Sequence, residues 1–379
     1  MAPSIDLPLP PPRCRAEIDL KALRSNVKVC RELAGEACGI MAIVKADAYG
    51  HGLKEVVACL SDLLDWFGVA NFREALRARV AAGERSPNIL ILSPAIPEEI
   101  EPIVANGFSA SVSVSSEVEA YAAAAARLGL RARLHAVVDT GMGRMGCQPS
   151  AFAALVEQIR QNAHCELEGI ETHFPSADED ADFTRSQIEV FQSLLQEAGP
   201  GACCHVHLGN SAGLIEFHAR TAFATLARPG LALYGVSPLP DAAVALTPVM
   251  TLKTRVTLVR EIPSGAGISY GRTFVSQQPM KVATLAVGYG DGYTRHLSGK
   301  KADVLIGGRR CPVLGRVTMD QIVVDISHLS GEVKSGDEVV LIGAQGTERI
   351  TVSELAEKAG TIPWEILTGI TNRVERVYL

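Results

Sequence analysis

The sequence lacks the features of nucleic-acid-binding and membrane-spanning proteins. Its 379 residues carry 36 lysines and arginines against 42 aspartates and glutamates, a formal net charge of −6, without a block of like charges. Nucleic-acid binders normally have a basic face, so this balance argues against one. The most apolar helical stretch, around 121–130, is interrupted by Arg127 and is too short to span a bilayer. We therefore expect neither a nucleic acid nor a membrane as a partner.

Disulfide and targeting signals are also missing. The nine cysteines are scattered without CxxC spacing, and their odd number suits a reducing cytoplasm better than a secreted, disulfide-stabilised protein. The N-terminus has no basic start followed by an apolar run, so we expect no signal peptide. With 47% hydrophobic and 21% charged residues, the composition is that of a globular cytoplasmic enzyme. The length favours about two domains.

Short runs rich in valine, isoleucine and leucine alternate with helical segments in the first two thirds of the chain. This alternation is typical of βα units around a parallel sheet, with helices predicted at 116–128 and 185–198. Eight units in about 200 residues favour a closed, TIM-type (β/α)8 barrel, although an open doubly wound sheet would also alternate. The predicted strands are Ile40–Lys45, Phe67–Asn71, Ile89–Ser93, Ser109–Val114, Leu134–Asp139, Leu167–His173, Cys204–Leu208 and Leu226–Leu233.

The pattern changes after Leu246. Polar and apolar residues alternate at 251–256, and glycines recur through the following segments, as in an antiparallel sheet with one solvated face. Only one helix is predicted here, Thr351–Ala359. The fold class predicted is therefore α/β, with a barrel at 1–245 and a mostly antiparallel β domain at 246–379. The first 13 residues are predicted as an extended lead-in able to join the β domain.

Polar residues stand at or just beyond the carboxyl ends of the predicted strands, where (β/α)8 barrels carry their active sites. A single one would be interpreted as a solvated residue, but seven together favour a site. The loops at 210–213 and 228–231 add small residues and a hydroxyl where backbone N–H groups could hold a phosphate. The seven residues are Lys45, Asn71, Ser93, Asp139, His173, Asn210 and Arg228.

Lys45 ends an apolar run at 40–44, where desolvation lowers the pKa of a lysine. An amine with a lowered pKa can form a Schiff base with an aldehyde. Together with a phosphate site this pattern indicates pyridoxal phosphate, although a lysine at a strand end is also common at solvated positions.

Eight segments, in order from about Cys14 to Tyr378, resemble the alanine racemase family. The first, VKADAYGHG at 44–52, is similar to the pyridoxal-lysine motif. The resemblance implies an isomerase that uses pyridoxal 5'-phosphate to racemise alanine, works as a homodimer with shared active sites, and supplies D-alanine for peptidoglycan. The other segments are DTGMGRMG (139–146), THF (172–174), HLGNSA (207–212), RPGLALYG (228–235), ISYG (268–271), VGYGDGY (287–293) and GRVTMDQ (315–321).

The resemblance also implies roles for single residues. Lys45 would hold the cofactor and serve one face of the substrate Cα, and Tyr270 of a second subunit would serve the other, because racemisation returns the proton from the opposite side. Arg228 would pair with the pyridine nitrogen, His207 would orient Arg228, and His173 would pack against the ring.

The remaining roles concern the phosphate and the substrate. The implied phosphate and cofactor contacts are Tyr49, Asn210, Ser211, Gly230 and Leu231. For the substrate, Arg144 would meet the carboxylate by charge, Met319 of the partner subunit would meet it through its backbone N–H, and Tyr289 would narrow the entrance. Asp320 would support these substrate-binding residues without touching the substrate itself.

Two positions depart from the family pattern. Val137 stands where many members have a lysine that becomes carbamylated, and Trp364 stands where a tyrosine usually reaches the phosphate. A racemase of serine or another amino acid, a decarboxylase of the same fold type and a non-catalytic cofactor carrier are the alternatives. Arg228 and Tyr270 favour a racemase over a decarboxylase, and no metal is implied.

Overall fold

The computed structural model describes residues 10–199, 205–239 and 241–379, and these form two compact units. One unit is Leu20–Thr247, and the other joins the described residues up to Asp19 with Pro248–Leu379. The second unit therefore includes the first strand, β1 (Cys14–Ile18). Of the predicted lead-in, residues 1–9 lie outside the described ranges. None of the described helices is long and apolar enough to cross a membrane.

The first unit is a closed barrel of eight parallel strands in the described ranges, which confirms the (β/α)8 prediction. Each strand pairs with the next, and the last pairs with the first through Gly39–Leu226 and Ile40–Ala227. The strands are β2 (Gly39–Ile43), β3 (Trp66–Val69), β4 (Asn88–Ile91), β5 (Ser109–Val112), β6 (Ala132–Val137), β7 (Cys165–Glu171), β8 (His205–His207) and β9 (Leu226–Ala227).

Helices connect these strands, and their ends follow ordinary capping chemistry. Asp180 accepts a hydrogen bond from the backbone N–H of Phe183, so the last long helix begins four residues before the predicted 185–198. The helix predicted at 116–128 is confirmed. The helices of this unit are α1 (Leu20–Ala34), α2 (Leu53–Leu60), α3 (Phe72–Ala82), α4 (Pro97–Ala105), α5 (Ser115–Leu128), α6 (Pro149–Gln161), α7 (Ala181–Ala198) and α8 (Ser211–Phe217).

The last strand of the barrel, β9, is much shorter than predicted. The prediction of a strand over Leu226–Leu233 was wrong beyond Ala227, because Pro229 lacks a backbone N–H for the ladder and Gly230 weakens a strand. Leu231–Tyr234 forms a 3-10 helix instead. The predicted seventh strand, Cys204–Leu208, begins at a residue outside the described ranges, and β8 itself covers His205–His207.

The second unit is built on a nine-stranded sheet that is antiparallel except where β1 pairs in parallel with the last strand, which confirms a mostly antiparallel β domain. Along Met250–Val256 buried and half-buried residues alternate, as the sequence predicts. With β1, the described strands of this sheet are β10 (Met250–Ile262), β13 (Met280–Leu285), β14 (Asp303–Ile306), β15 (Arg309–Leu314), β16 (Ile322–Asp325), β17 (Glu338–Gln345), β18 (Glu348–Ile350) and β19 (Glu375–Tyr378). The short strands β11 (Gly267–Ile268) and β12 (Phe274–Val275) pair separately as a two-stranded sheet.

This unit has two α-helices in its described residues, α9 (Val352–Ala359) and α10 (Pro363–Thr368). The prediction of a single helix was wrong because α10 is short and starts at a proline, a residue favoured in a first turn. Its short 3-10 helices are Tyr270–Arg272, Tyr289–Asp291 and Arg295–Leu297, whereas Gly83–Arg85 and His218–Thr221 are short 3-10 helices of the barrel unit.

Candidate active site

Four of the seven predicted strand-end residues have structural roles or face solvent. Asn71 and Asn210 each cap the helix that follows, accepting backbone hydrogen bonds of 3.0 Å and 2.9 Å. The Asp139 carboxylate accepts from two backbone N–H groups of its own loop, and Ser93 is exposed. The other three, Lys45, His173 and Arg228, are close enough for their charges to interact.

Arg228 is the most constrained of these three, with only 4% of its surface exposed. One terminal nitrogen donates to the backbone oxygen of His207 (2.9 Å) and to the Nδ1 of the same residue, and lies 3.3 Å from Glu171 Oε2. The other donates to the Thr172 oxygen (2.7 Å) and to His173 Nδ1 (3.1 Å). The Nε–H has no acceptor within the described ranges, so this donor is available to a ligand.

A chain of hydrogen bonds runs from Arg228 through the barrel interior. Arg228 can only donate, so His207 Nδ1 accepts and His207 Nε2–H donates to His135 Nδ1 at 2.7 Å. His135 Nε2–H then donates to Glu168 at 3.2 Å, and the Ser109 hydroxyl donates to the same carboxylate. His207 and His135 stand on β8 and β6, which are not neighbours in the barrel. Their contact therefore crosses the interior and fixes both tautomers.

The carboxylates of this interior depend on an irregularity in β7. Leu134 pairs with Leu167, but His135 pairs with Gly169, so Glu168 is an extra residue. In a regular strand Glu168 and Glu171 would point to opposite faces because they are three residues apart. The register shift allows both to reach the interior, where they are 8% and 5% exposed.

The site is rich in positive charge. Burial lowers the pKa of Lys45, and the nearby charges of Arg144 and Arg228 lower it further, while Glu74 opposes the change. The pKa of His173 falls to about 3 through burial and these same cations. His173 is therefore neutral at physiological pH, and Lys45 loses its proton more readily than a solvated lysine.

Lys45 is followed by an unusual turn. Residues 46–49 all have left-handed backbone angles, with φ between 52° and 55°, a conformation that costs about 1–2 kcal/mol for each non-glycine residue. Glu74 holds the turn by accepting the backbone N–H of Ala46 at 2.9 Å. Strain of this kind persists at functional sites when surrounding contacts enforce it. The turn places the buried Tyr49 ring against Tyr234, with ring centroids 5.0 Å apart.

A group of hydrogen-bond donors lies beside Tyr49. The Ser211 hydroxyl oxygen accepts from the Gly230 N–H at 3.0 Å, and a Cβ at Gly230 would lie 2.5 Å from the Tyr49 hydroxyl oxygen. In the described part of the chain, three nearby backbone N–H groups donate to no protein acceptor, those of Ser211, Ala212 and Leu231. Convergent backbone donors and hydroxyls fit a phosphate, so the residues present suit the predicted cofactor.

The second unit carries the other predicted residues on exposed loops. Tyr270 is 71% exposed, Met319 is 52% exposed and Tyr289 is 40% exposed. Tyr270 and Met319 line one cleft of about 680 Å³. The cleft also includes Asp320, which pairs with Arg373 at 2.8 Å. Large exposed side chains around a cleft are typical of a surface that meets a ligand or partner.

Two family models match the chain. The model described as alanine racemase, N-terminal domain, matches residues 18–238, and the model described as alanine racemase, C-terminal domain, matches residues 249–378. The chain belongs to the alanine racemase family. Members of this family are isomerases, and its two matched domains correspond to the barrel and the β unit.

Individual relatives agree over nearly the whole length. The alanine racemase of Symbiobacterium thermophilum is 42% identical over 369 residues, which cover 96% of both chains. That of Methylacidiphilum infernorum is 41% identical over 372 residues, covering 97% of this chain and 93% of the relative. The solved alanine racemase of Streptomyces lavendulae, a D-cycloserine producer, has a TM-score of 0.91 at 34% identity and 98% coverage of each chain.

The two departures from the alanine racemase pattern have structural consequences in the described residues. Val137 is buried, with 5% exposed, and offers no charge. Arg144 is exposed and its guanidinium donates to no acceptor there, so its donors are available to a carboxylate. Trp364 lies in α10 of the second unit, and its effect on phosphate binding stays a prediction. No cluster of three or more metal-binding side chains occurs within the described residues.

Four interior residues escaped the sequence analysis: Ser111, His135, Glu168 and Glu171. The sequence did carry a signal for the two carboxylates. Glu168 and Glu171 are the charged residues in the segment 167–171, which otherwise consists of leucine, glycine and isoleucine. Charged residues are rarely buried without a partner. A glutamate within a buried strand therefore predicts a cation nearby, which here is Arg228 beside Glu171.

Proposed function

We propose that this protein interconverts L- and D-alanine with pyridoxal 5'-phosphate held by Lys45. The observation that carries the proposal is the cluster of buried Arg228 with half-buried Lys45 and neutral, half-buried His173, beside a set of unpaired backbone donors in the described residues. When bound, the cofactor would supply an electron sink that weakens the Cα–H bond. Everything else required by the reaction falls to the protein's own side chains.

Each part of the cofactor has a matching set of groups. The phosphate would meet the hydroxyls of Tyr49 and Ser211 and the N–H of Leu231, with Gly230 leaving room for Tyr49. Arg228 would offer its Nε–H to the pyridine nitrogen. Because an arginine stays protonated, that nitrogen would remain unprotonated and the electron sink weak, which favours returning the proton to Cα. We also assign Asn210 to this region, where it caps α8.

Racemisation needs a proton acceptor on each face of Cα. Lys45 suits one face because its lowered pKa allows a neutral amine. Tyr270 would serve the other face from a second subunit, and its 71% exposure supports a role at a surface that meets a partner. We therefore propose a homodimer with shared active sites, in which Tyr289 narrows the entrance.

The substrate carboxylate would be bound by charge and by a backbone group. Arg144 has available donors and lies near enough to Lys45 to affect its pKa. The N–H of Met319 from the partner subunit would complete the contact, with Asp320 behind it held by Arg373. We place the enzyme in the cytoplasm, where D-alanine is needed for peptidoglycan precursors.

The direct test is to follow D-alanine formation from L-alanine by the purified protein, with Lys45→Ala as the inactive control. Wild type should bind pyridoxal phosphate and produce D-alanine. The Lys45→Ala variant should bind the cofactor and produce D-alanine much more slowly than wild type. A wild type that binds the cofactor without forming D-alanine would refute the assignment and favour a decarboxylase or a carrier.

The two-base scheme has its own test in Tyr270→Phe. This variant should slow exchange of the Cα proton chiefly from one enantiomer, because Lys45 still serves the opposite face. Equal losses from both enantiomers would contradict the scheme. An active species that sediments as a monomer would contradict the shared site.

A further inference from the structure

A buried carboxylate lies behind the arginine assigned to the pyridine nitrogen. We infer that Glu171 is a positioning residue that holds Arg228 as an ion pair and sets the electrostatic potential around the cofactor ring. This inference rests on the proposed function and deepens it, since it concerns the same site. It assigns to Glu171 no direct contact with substrate or cofactor.

The geometry of Glu171 leaves it little freedom. It is the last residue of β7 and is 5% exposed. Its Oε1 accepts a 2.5 Å hydrogen bond from the Ser111 hydroxyl on β5, and its Oε2 lies 3.3 Å from the Arg228 terminal nitrogen. The same oxygen is 3.5 Å from His207 Nδ1. The carboxylate is thus fixed from two sides, and the guanidinium is fixed by it.

Charge balance makes this carboxylate important. Arg228 contacts Glu171, His173 and His207, and the charge of Arg144 also acts on it. Among these groups Glu171 alone is an acid, and it opposes the lowering of the Arg228 pKa that burial causes. A buried cation that loses its counter-ion is strongly destabilised. Neutralising Glu171 therefore leaves Arg228 unpaired and makes the potential at its ligand more positive.

A more positive potential changes the pKa of neighbouring groups in a predictable direction. It disfavours every protonated, cationic form nearby, so it lowers the pKa of neighbouring groups. With Glu171 charged, the Lys45 nitrogen, once joined to the cofactor, would keep its proton to a higher pH than it would with a neutral residue at position 171. Lys45 already experiences the charges of Arg144 and Arg228, which places it within this field.

The barrel offers a matched control in Glu168. This second carboxylate is 8% exposed and also sits on β7. It accepts from His135 and Ser109, and it reaches Arg228 only through His135 and His207. Removing its charge changes the same barrel interior but leaves the contact of Arg228 with Glu171 in place.

The experiment uses the holoenzyme in three forms: wild type, Glu171→Gln and Glu168→Gln. The visible absorption of the bound cofactor is followed against pH, and kcat and KM for alanine are measured in both directions. We expect the spectral midpoint of Glu171→Gln to fall by about one pH unit, within the range for loss of a nearby charge. Glu168→Gln should stay within roughly 0.3 unit of wild type, and kcat should fall about tenfold for Glu171→Gln only, with KM little changed.

Equal midpoints for the two variants would overturn the inference, as would an upward shift for Glu171→Gln. If Glu171→Gln does not fold, Glu171→Asp against Glu168→Asp decides the question. The shorter side chain draws the charge away from Arg228, so a downward shift for Glu171→Asp alone supports the inference and equal midpoints refute it. A wild type without a cofactor spectrum would refute the proposed function itself, whereas an active wild type with unshifted variants refutes only the role of Glu171.

Discussion

Gly230→Ala probes the contact between the loop at 228–231, which we propose binds the phosphate, and Tyr49. Gly230 has a negative φ of −116°, so alanine meets no left-handed backbone penalty and the cost is steric. The added Cβ would lie 2.5 Å from the Tyr49 hydroxyl oxygen and 3.0 Å from its Cζ. An ordinary contact begins at about 3.4 Å, so the hydroxyl must withdraw by about 0.9 Å, the difference between 3.4 and 2.5. Tyr49 is buried and stacked on Tyr234, which limits that movement.

Overpacking of this kind costs about 1–3 kcal/mol. If this steric cost weakens cofactor binding, the affinity for pyridoxal phosphate should fall roughly 5- to 150-fold. If the cost lowers the free energy of unfolding instead, Tm should fall by roughly 2–4 °C for each kcal/mol in a domain of this size. Both are measurable, the first by equilibrium titration of cofactor absorption and the second by calorimetry of the cofactor-free protein.

Gly209→Ala is the matched control. Gly209 is also buried and lies in the neighbouring loop, but a Cβ there would meet only ordinary contacts of 3.6 and 3.8 Å. Adding Tyr49→Phe to Gly230→Ala removes the hydroxyl and should restore part of the Tm. The reasoning is refuted if Gly230→Ala binds the cofactor as tightly as Gly209→Ala, or if the double variant shows no recovery.

Two further predictions concern stability and pH. Tyr234→Phe removes the donor of a 2.9 Å hydrogen bond to the buried Ile43 oxygen and should cost about 1–2 kcal/mol in denaturant unfolding. Tyr121→Phe should cost nothing, because the Tyr121 hydroxyl is buried without a partner in the described residues; equal costs would contradict the argument. Covalent attachment of pyridoxal phosphate to Lys45 in the cofactor-free protein needs the neutral amine, so its rate should rise through a midpoint below 10.5. Arg144→Ala should move that midpoint upward, since a cation that lowers the pKa is gone; an unchanged or lower midpoint is the contrary result.

The barrel could be predicted because alternation of βα units is a local pattern. Lys45, His173 and Arg228 could be placed for the same reason, since the ends of parallel strands share one edge of a barrel. Prediction was less successful where local rules did not apply. Residues 46–49 include no glycine, yet all adopt left-handed angles, and contacts such as Glu74 to Ala46 override their preference.

The interior carboxylates show a different limit. Period-two alternation assigns Glu168 and Glu171 to opposite faces, and only the register shift against β6 brings both inside. Such a shift depends on how β7 pairs with its neighbour. The Glu171–Arg228 contact joins residues 57 positions apart in the chain, so no window of sequence contains it.

The same charges connect ligand binding to chemistry. Lys45, Arg144 and Arg228 lie close enough to affect one another, and Glu171 is in direct contact with only the last of them. The excess positive charge lowers the pKa of Lys45, which favours its action as a base, and it also attracts a phosphate and a carboxylate. Each bound anion then reduces the repulsion among the cations, so binding stabilises the folded barrel. It also raises the pKa of Lys45 towards its ordinary value, so the neutral amine becomes scarcer at a given pH but holds an accepted proton more tightly.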